Sequence, residues 1–80
     1  MNTSSIYSRL TEIFREVFDD DDLVVGPALT AADVEEWDIL NHIRLVLSVE
    51  KGFGLRFSAA EVGNLKNVGE FVELIQAKAV

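Results

Sequence analysis

In SSIYSRLTEIFREVF (residues 4–18) the apolar side chains Ile6, Leu10, Ile13, Phe14 and Val17 recur at i, i+4, i+7, i+8 and i+11. That spacing puts them along one stripe of an α-helix. Nowhere does the chain alternate apolar and polar residues, and it shows no internal repeat or heptad seam. A chain of 80 residues with stripes of this period buries them helix against helix, so an all-α bundle is expected. Ser4 or Ser5 is the natural N-cap of this first helix. Asp19 to Asp22 end it, because four carboxylates at a helix C-terminus repel one another and oppose the macrodipole. The run lacks the alternating spacing and the glycine of a calcium loop, so it reads as a solvated stop.

From Leu23 to Trp37 the chain carries its single proline, Pro27, next to Gly26, and mixes apolar with acidic residues. A long ordered loop is expected, with a short helical turn from Thr30. Leu23, Val24, Val25 and Leu29 are too apolar for a free linker and are expected to lie over the bundle. Asp38 is placed to cap a second helix that Gly52 and Gly54 bring to a stop. Ser58-x-x-Glu61 is a capping box for a short third helix, and Asn67-x-x-Glu70 opens the last one. There Val68, Phe71, Val72 and Ile75 form the inward stripe. The expected architecture is one domain over residues 1–80: a small bundle of three long helices and one short helix, with a long first loop.

The second helix has more apolar surface than one contact needs. At 100° per residue Leu45, Val46, Val49 and Phe53 form one cluster, and Ile39, Leu40, Ile43 and Leu47 form another. Together they span an arc of roughly 200°, about twice the usual width. Either both clusters are core, or the one at the helix start is a contact surface. In the second case the neighbouring helix N-terminus would also attract anions such as phosphate.

Composition narrows the function. There are no cysteines, which excludes disulfides and thiolate metal sites, and a lone His42 is expected on the surface rather than on a metal. The net charge of −7 disfavours nucleic acid and suits partners with basic patches. No apolar run reaches the roughly 20 residues of a membrane span. The N-terminal residues lack the pattern of a signal peptide, so a cytoplasmic protein is the default. No His or Lys is placed to activate a serine, and no glycine-rich phosphate loop is present, so an enzyme is not expected.

Trp37-Asp38-x-Leu40, followed by HIRLVLSVEKGFGLRF and later by NLKNVGEFVELI, resembles the acyl carrier protein family over nearly the whole chain. The acidic first loop, the signature opening the second helix and the short third helix all take part. The resemblance implies a cytoplasmic, bacterial-type monomer that carries acyl groups as thioesters on a 4′-phosphopantetheine arm. Its implied partners are a phosphopantetheinyl transferase and acyl-transferring or acyl-activating enzymes, in fatty acid biosynthesis or wider lipid metabolism.

In that family the residue between Asp and Leu is the serine that takes the arm. Here it is Ile39, which has no hydroxyl. Either a serine has been replaced, or the chain is a carrier-like adaptor that docks partners without an arm; a peptidyl carrier is a close relative. The resemblance implies a partner surface of Asp38, Leu40, Ile43, Arg44 and Leu47, with Glu61 and Val62 beside it. It also implies an acyl-facing space among Ile43, Leu47, Val62, Phe71 and Ile75, which are otherwise ordinary core. Carriers of fatty acid synthesis usually bear acids along this helix, where Asn41, His42 and Arg44 stand here. Charge selects partners, so a specialised fatty-acyl, lipid or polyketide-type pathway is expected.

Overall fold

The computed structural model describes residues 2–63 and 65–78. Asn64, the first residue of the NLKNVGEFVELI stretch, lies outside the described residues, as do both chain ends. Four α-helices follow in order: α1 (Thr3–Val17), α2 (Ile39–Phe53), α3 (Ala59–Gly63) and α4 (Val68–Lys78), with a 3₁₀ turn at Ala31–Asp33. The expected bundle of three long helices and one short helix is what forms, and no strand occurs among the described residues.

Asn2, not Ser4 or Ser5, caps α1: its side chain accepts from the Ser5 backbone N–H at 2.8 Å. The helix thus begins at Thr3, two or three residues earlier than a cap at Ser4 or Ser5 would allow. Its other end is set by backbone geometry as well as by charge. Asp19 takes a positive φ of 51°, and the Asp20 N–H reaches the Arg15 carbonyl at 3.0 Å. Such a left-handed exit satisfies orphan carbonyls, and Asp tolerates it better than most residues.

The core forms where α1 meets α2 and α4. Ile6, Leu10, Ile13, Phe14 and Phe18 pack with Leu45 and Val49 and with Val68, Phe71, Val72 and Ile75. Gly52 was expected at the stop of α2 but lies within the helix, because α1 passes close by. A Cβ there would come within 3.0 Å of Ile13 Cδ1. The stop is Gly54 alone, at φ 67°, with the Leu55 N–H donating to the Glu50 carbonyl.

The long first loop is fastened at several points. Arg15 Nε donates to the Leu23 carbonyl at 2.9 Å. Val25 and Val34 are buried and Leu23 and Leu29 pack against the core. Val24 does not lie over the bundle as expected. It is 76% exposed, since its buried neighbour Val25 takes the inward direction. The turn from Thr30 is present, closed by Thr30 and Asp33 bonding each other's backbone N–H groups. Loop carbonyls then cap α4: Leu29 accepts from the Val68 N–H at 2.9 Å and Pro27 from the Gly69 N–H at 3.0 Å. Asn67 Oδ1 takes the Glu70 N–H, while the Glu70 carboxylate reaches the Lys66 N–H rather than closing the box on Asn67. The orphan donors of a helix start are thus met partly by a segment about forty residues away in sequence.

Gly69 is where loop and helix come closest. A Cβ there would lie 3.1 Å from the Pro27 carbonyl oxygen and 3.2 Å from Asn67 Oδ1, both acceptors of the cap. Gly69→Ala is therefore expected to destabilise by about 1–2 kcal/mol, overcrowding outweighing the helix propensity of alanine. Urea denaturation of the two proteins compares them directly.

Candidate docking site at the start of the second helix

Three hydrogen bonds fix where α2 begins. Asp38 accepts the Asn41 N–H at 2.8 Å, as an N-cap does. The Asn41 side-chain amide turns back to the Glu36 carbonyl at 2.6 Å. Trp37 Nε1 donates to His42 Nδ1 at 3.1 Å. An indole nitrogen only donates, so Nδ1 must carry the lone pair and the neutral ring holds its proton on Nε2. His42 is therefore not a free surface residue: it is half-buried and committed to Trp37.

Trp37 is in turn held from below. Its ring meets Phe14 edge-on, centroids 5.3 Å apart and planes at 87°, and lies 5.8 Å from Phe18. Edge-to-face pairs of this kind contribute about 0.5–1.5 kcal/mol beyond the area they bury. Neither Trp37 nor His42 was singled out from the sequence as a site residue. An indole donor and an imidazole acceptor five positions apart, flanking a cap, was the available signal.

On this base α2 divides cleanly. Leu45 and Val49 are fully buried, whereas Ile39, Leu40, Ile43 and Leu47 are 83%, 64%, 52% and 54% exposed. Both clusters are not core. The four exposed side chains make an outward apolar row from the first turn to the third, with Arg44 exposed beside it. Asp38 stands exposed at its head, and Asp33, Glu35 and Glu36 are exposed on the loop leading to it.

Between α2 and α3 runs a shallow groove of about 200 Å³, with Ile43, Leu47 and Val62 among its walls together with His42, Val46 and Phe57. The other two residues expected around an acyl-facing space sit elsewhere. Phe71 is buried and lines a separate cavity of about 80 Å³, next to Trp37, His42 and Leu65. Ile75 is fully buried in the core and lines neither space, because α4 turns it towards α1. Phe57, which joins the groove to the core through an edge contact with Phe71 at 5.6 Å, was not foreseen.

α3 is too short to persist alone, and its side chains show what retains it. Glu61 accepts the Ser58 N–H at 2.8 Å while Ser58 Oγ accepts the Glu61 N–H, the expected capping box. Its other oxygen pairs with Lys78 at 3.0 Å, and Lys78 Nζ lies 5.8 Å over the Phe57 ring. The Glu61 carboxylate is thus engaged within the fold, in a pair that stays partly exposed.

The resemblance is matched by comparison with known proteins. No family model matches the chain. It is 33% identical over 75 residues to an acyl carrier protein of Acidothermus cellulolyticus, covering 94% of this chain and 89% of that one. The solution structure of the holo acyl carrier protein of Geobacter metallireducens superposes with a TM-score of 0.85 at 40% identity. That match covers 90% of this chain and 83% of the other. The chain belongs to the acyl carrier protein family, whose members carry acyl groups and whose cofactor is 4′-phosphopantetheine. No helix among the described residues is long and apolar enough to cross a membrane.

At Ile39, where the resemblance places the arm, the side chain does not fit that cofactor. Ile39 presents only methyl and methylene groups to solvent, so no oxygen is available there to form a phosphodiester. Other hydroxyls are placed differently. Ser58 Oγ and the Thr30 hydroxyl are engaged in caps, and Ser48 lies about 14 Å further along α2.

Two expectations follow from these contacts. Trp37→Phe keeps an aromatic ring but loses the bond to His42, and should cost at least about 1 kcal/mol in urea denaturation. Glu61 is held below the usual carboxylate value of 4.5, first by the Ser58 backbone N–H and then by Lys78. A carboxyl lowered by folding stabilises above its ordinary value, and that stabilisation is lost as pH falls through the folded one. Thermal melts should therefore show a steeper acid-side loss below pH 4.5 for the parent than for Glu61→Gln.

Proposed function

We propose that the chain serves as an acyl-carrier-type protein of a specialised fatty-acyl, lipid or polyketide-type pathway. It presents the start of α2 and the flank of α3 to enzymes that handle acyl thioesters. With Ile39 in place it does so as an armless, apo-like body. The observation that carries this reading is the exposed row Leu40, Ile43 and Leu47 beside a fully formed Asp38 cap. A small soluble domain gains nothing in folding from exposing such a row, and contiguous exposed apolar surface marks contact sites.

The contact surface comprises Asp38, Leu40, Ile43, Arg44 and Leu47, with Val62 and the Glu61–Lys78 pair at its margin. The groove of Ile43, Leu47 and Val62 is the acyl-facing space of an arm-bearing form. The specialised pathway is supported by charge. No acid occurs between Asp38 and Glu50, Asn41 and His42 bond back to the loop, and Arg44 alone projects a charge. An enzyme that seeks carboxylates along this helix finds a cation instead.

Ile39 itself favours a second reading, a carrier-like adaptor that never bears the arm, because its exposed side chain extends the apolar row at the one place where the arm would leave. Both readings meet one experiment. The parent and Ile39→Ser are incubated with coenzyme A and a promiscuous phosphopantetheinyl transferase, and intact masses are measured. Only Ile39→Ser should gain one arm, with its stability within about 0.5 kcal/mol of the parent, as for an exposed substitution. No gain by either would sink the carrier reading, and a gain by the parent would place the attachment on another hydroxyl.

A further inference from the structure

We infer that the Trp37–His42 bond is a proton-operated latch at the end of the long first loop. It is closed while the imidazole is neutral and opens when the ring takes a second proton. The latch is a property of the fold and does not depend on whether the chain is ever loaded.

The direction of the bond decides its response to protons. Trp37 Nε1 can only donate, so the acceptor at 3.1 Å must be a ring nitrogen with a lone pair. A neutral imidazole has one such nitrogen and an imidazolium has none, so turning the charged ring over restores nothing. An indole N–H points outwards in its ring plane, which sets the two rings edge to edge, within 23° of parallel and with centroids 6.2 Å apart. A charge on the imidazole therefore meets the positive rim of the indole rather than its negative face, and no cation–π attraction replaces the lost bond. Imidazole is the side chain that ordinarily gains its charge between about pH 5 and 8.

The charges around the ring favour its movement away from Trp37. His42 is a wall shared by two spaces: the cavity of about 80 Å³, which Trp37 also lines, and the groove of about 200 Å³, which Trp37 does not. Lys66, from the link before α4, stands on the cavity side and repels a cation there. Glu50 of α2 stands on the groove side and attracts one, while its carboxylate also accepts the Phe57 N–H. To that groove α3 contributes Ala59 and Val62, both uncharged, and α1 reaches the pair through the phenyl rings of Phe14 and Phe18. On the loop, Glu35 and Glu36 are exposed and the Asp38 carboxylate is taken by the Asn41 N–H. His42 also stands in the first turn of α2, its N–H on the Asp38 carbonyl at 2.8 Å, and a helix start is the unfavourable end for a cation. A charged His42 thus swings towards the groove, Trp37 stays on its phenyl rings, and the tie between the loop and α2 is released.

The chain has one tryptophan and one histidine, so each ring gives a single nitrogen signature in NMR of the ¹⁵N-labelled protein. Parent, His42→Gln and His42→Phe are compared between pH 8 and pH 5, with circular dichroism as the check on folding. Glutamine offers an amide oxygen to the indole at every pH, and phenylalanine offers no acceptor at any. At pH 8 the parent imidazole should carry its proton on Nε2, and the indole N–H resonance should lie with that of His42→Gln. At pH 5 it should have moved to the position of His42→Phe, following the imidazole signal with the same midpoint. The Asn41 and His42 amides should then exchange at least about threefold faster in the parent than the same positions in His42→Gln, after correction for intrinsic rate. The Leu45 and Val49 amides should not differ.

A proton on Nδ1 at pH 8 would mean that the bond does not form, and the latch is overturned. It is equally overturned if the imidazole charges while the indole resonance stays with His42→Gln, or if the imidazole is still neutral at pH 5. Should a variant fail to fold, the parent alone decides. Indole and imidazole signals that move together support the latch, and separate midpoints sink it.

Discussion

The contact on which the rest of the molecule depends is Trp37 wedged edge-on against Phe14 and tied to His42. Ordering a loop of twenty or so residues costs on the order of 1 kcal/mol or more for each residue fixed. That cost has to be met by a few strong anchors. Arg15 holds the loop at its beginning and the α4 cap holds it midway. Trp37 holds it at the last residue before the Asp38 cap. Because the indole reaches both α1 and the second turn of α2, the cap is fixed relative to the core rather than only to its own helix.

The consequence is a body whose interior and outward apolar face share a helix without sharing residues. Leu45 and Val49 are spent on the core, while Leu40, Ile43 and Leu47 point the other way. Substitutions along the outer row leave the core contacts untouched, so recognition can change independently of stability. Ile39 sits at the head of that row, 83% exposed, so the packing of the core places little constraint on the side chain there.

Much of this was legible in the sequence because it is local. Side-chain caps at Asp38, Ser58 and Asn67 act over three residues, and a helical stripe declares itself within four turns. Asn2 was missed because two serines nearby are equally good caps, and the choice shows only in the Asn2 side chain accepting the Ser5 N–H. Gly52 was read as punctuation, since nothing in its neighbourhood reveals that Ile13 of another helix passes within reach. The wide apolar arc of α2 was visible, but which half faced water depended on where α1 and α4 lay. Phe71 and Ile75 were grouped with Ile43 on the strength of the family resemblance. Their separation, one to a small cavity and one to the core, is set by the crossing of α4 over α1. The Trp37–His42 bond had a hint in the spacing of the two rings, but whether they meet depends on the loop path and on ring orientation, which that spacing does not specify.

The same indole has an optical consequence. The chain contains one tryptophan, so light absorbed at the red edge of the aromatic band is emitted from a single site. That site is two residues from Ile39, bonded to an imidazole and packed on two phenyl rings. A molecule settling on the start of α2 would change the polarity around that ring. The molecule thus carries an intrinsic reporter beside the outward apolar row of α2, and any binding there can be followed without attaching a label.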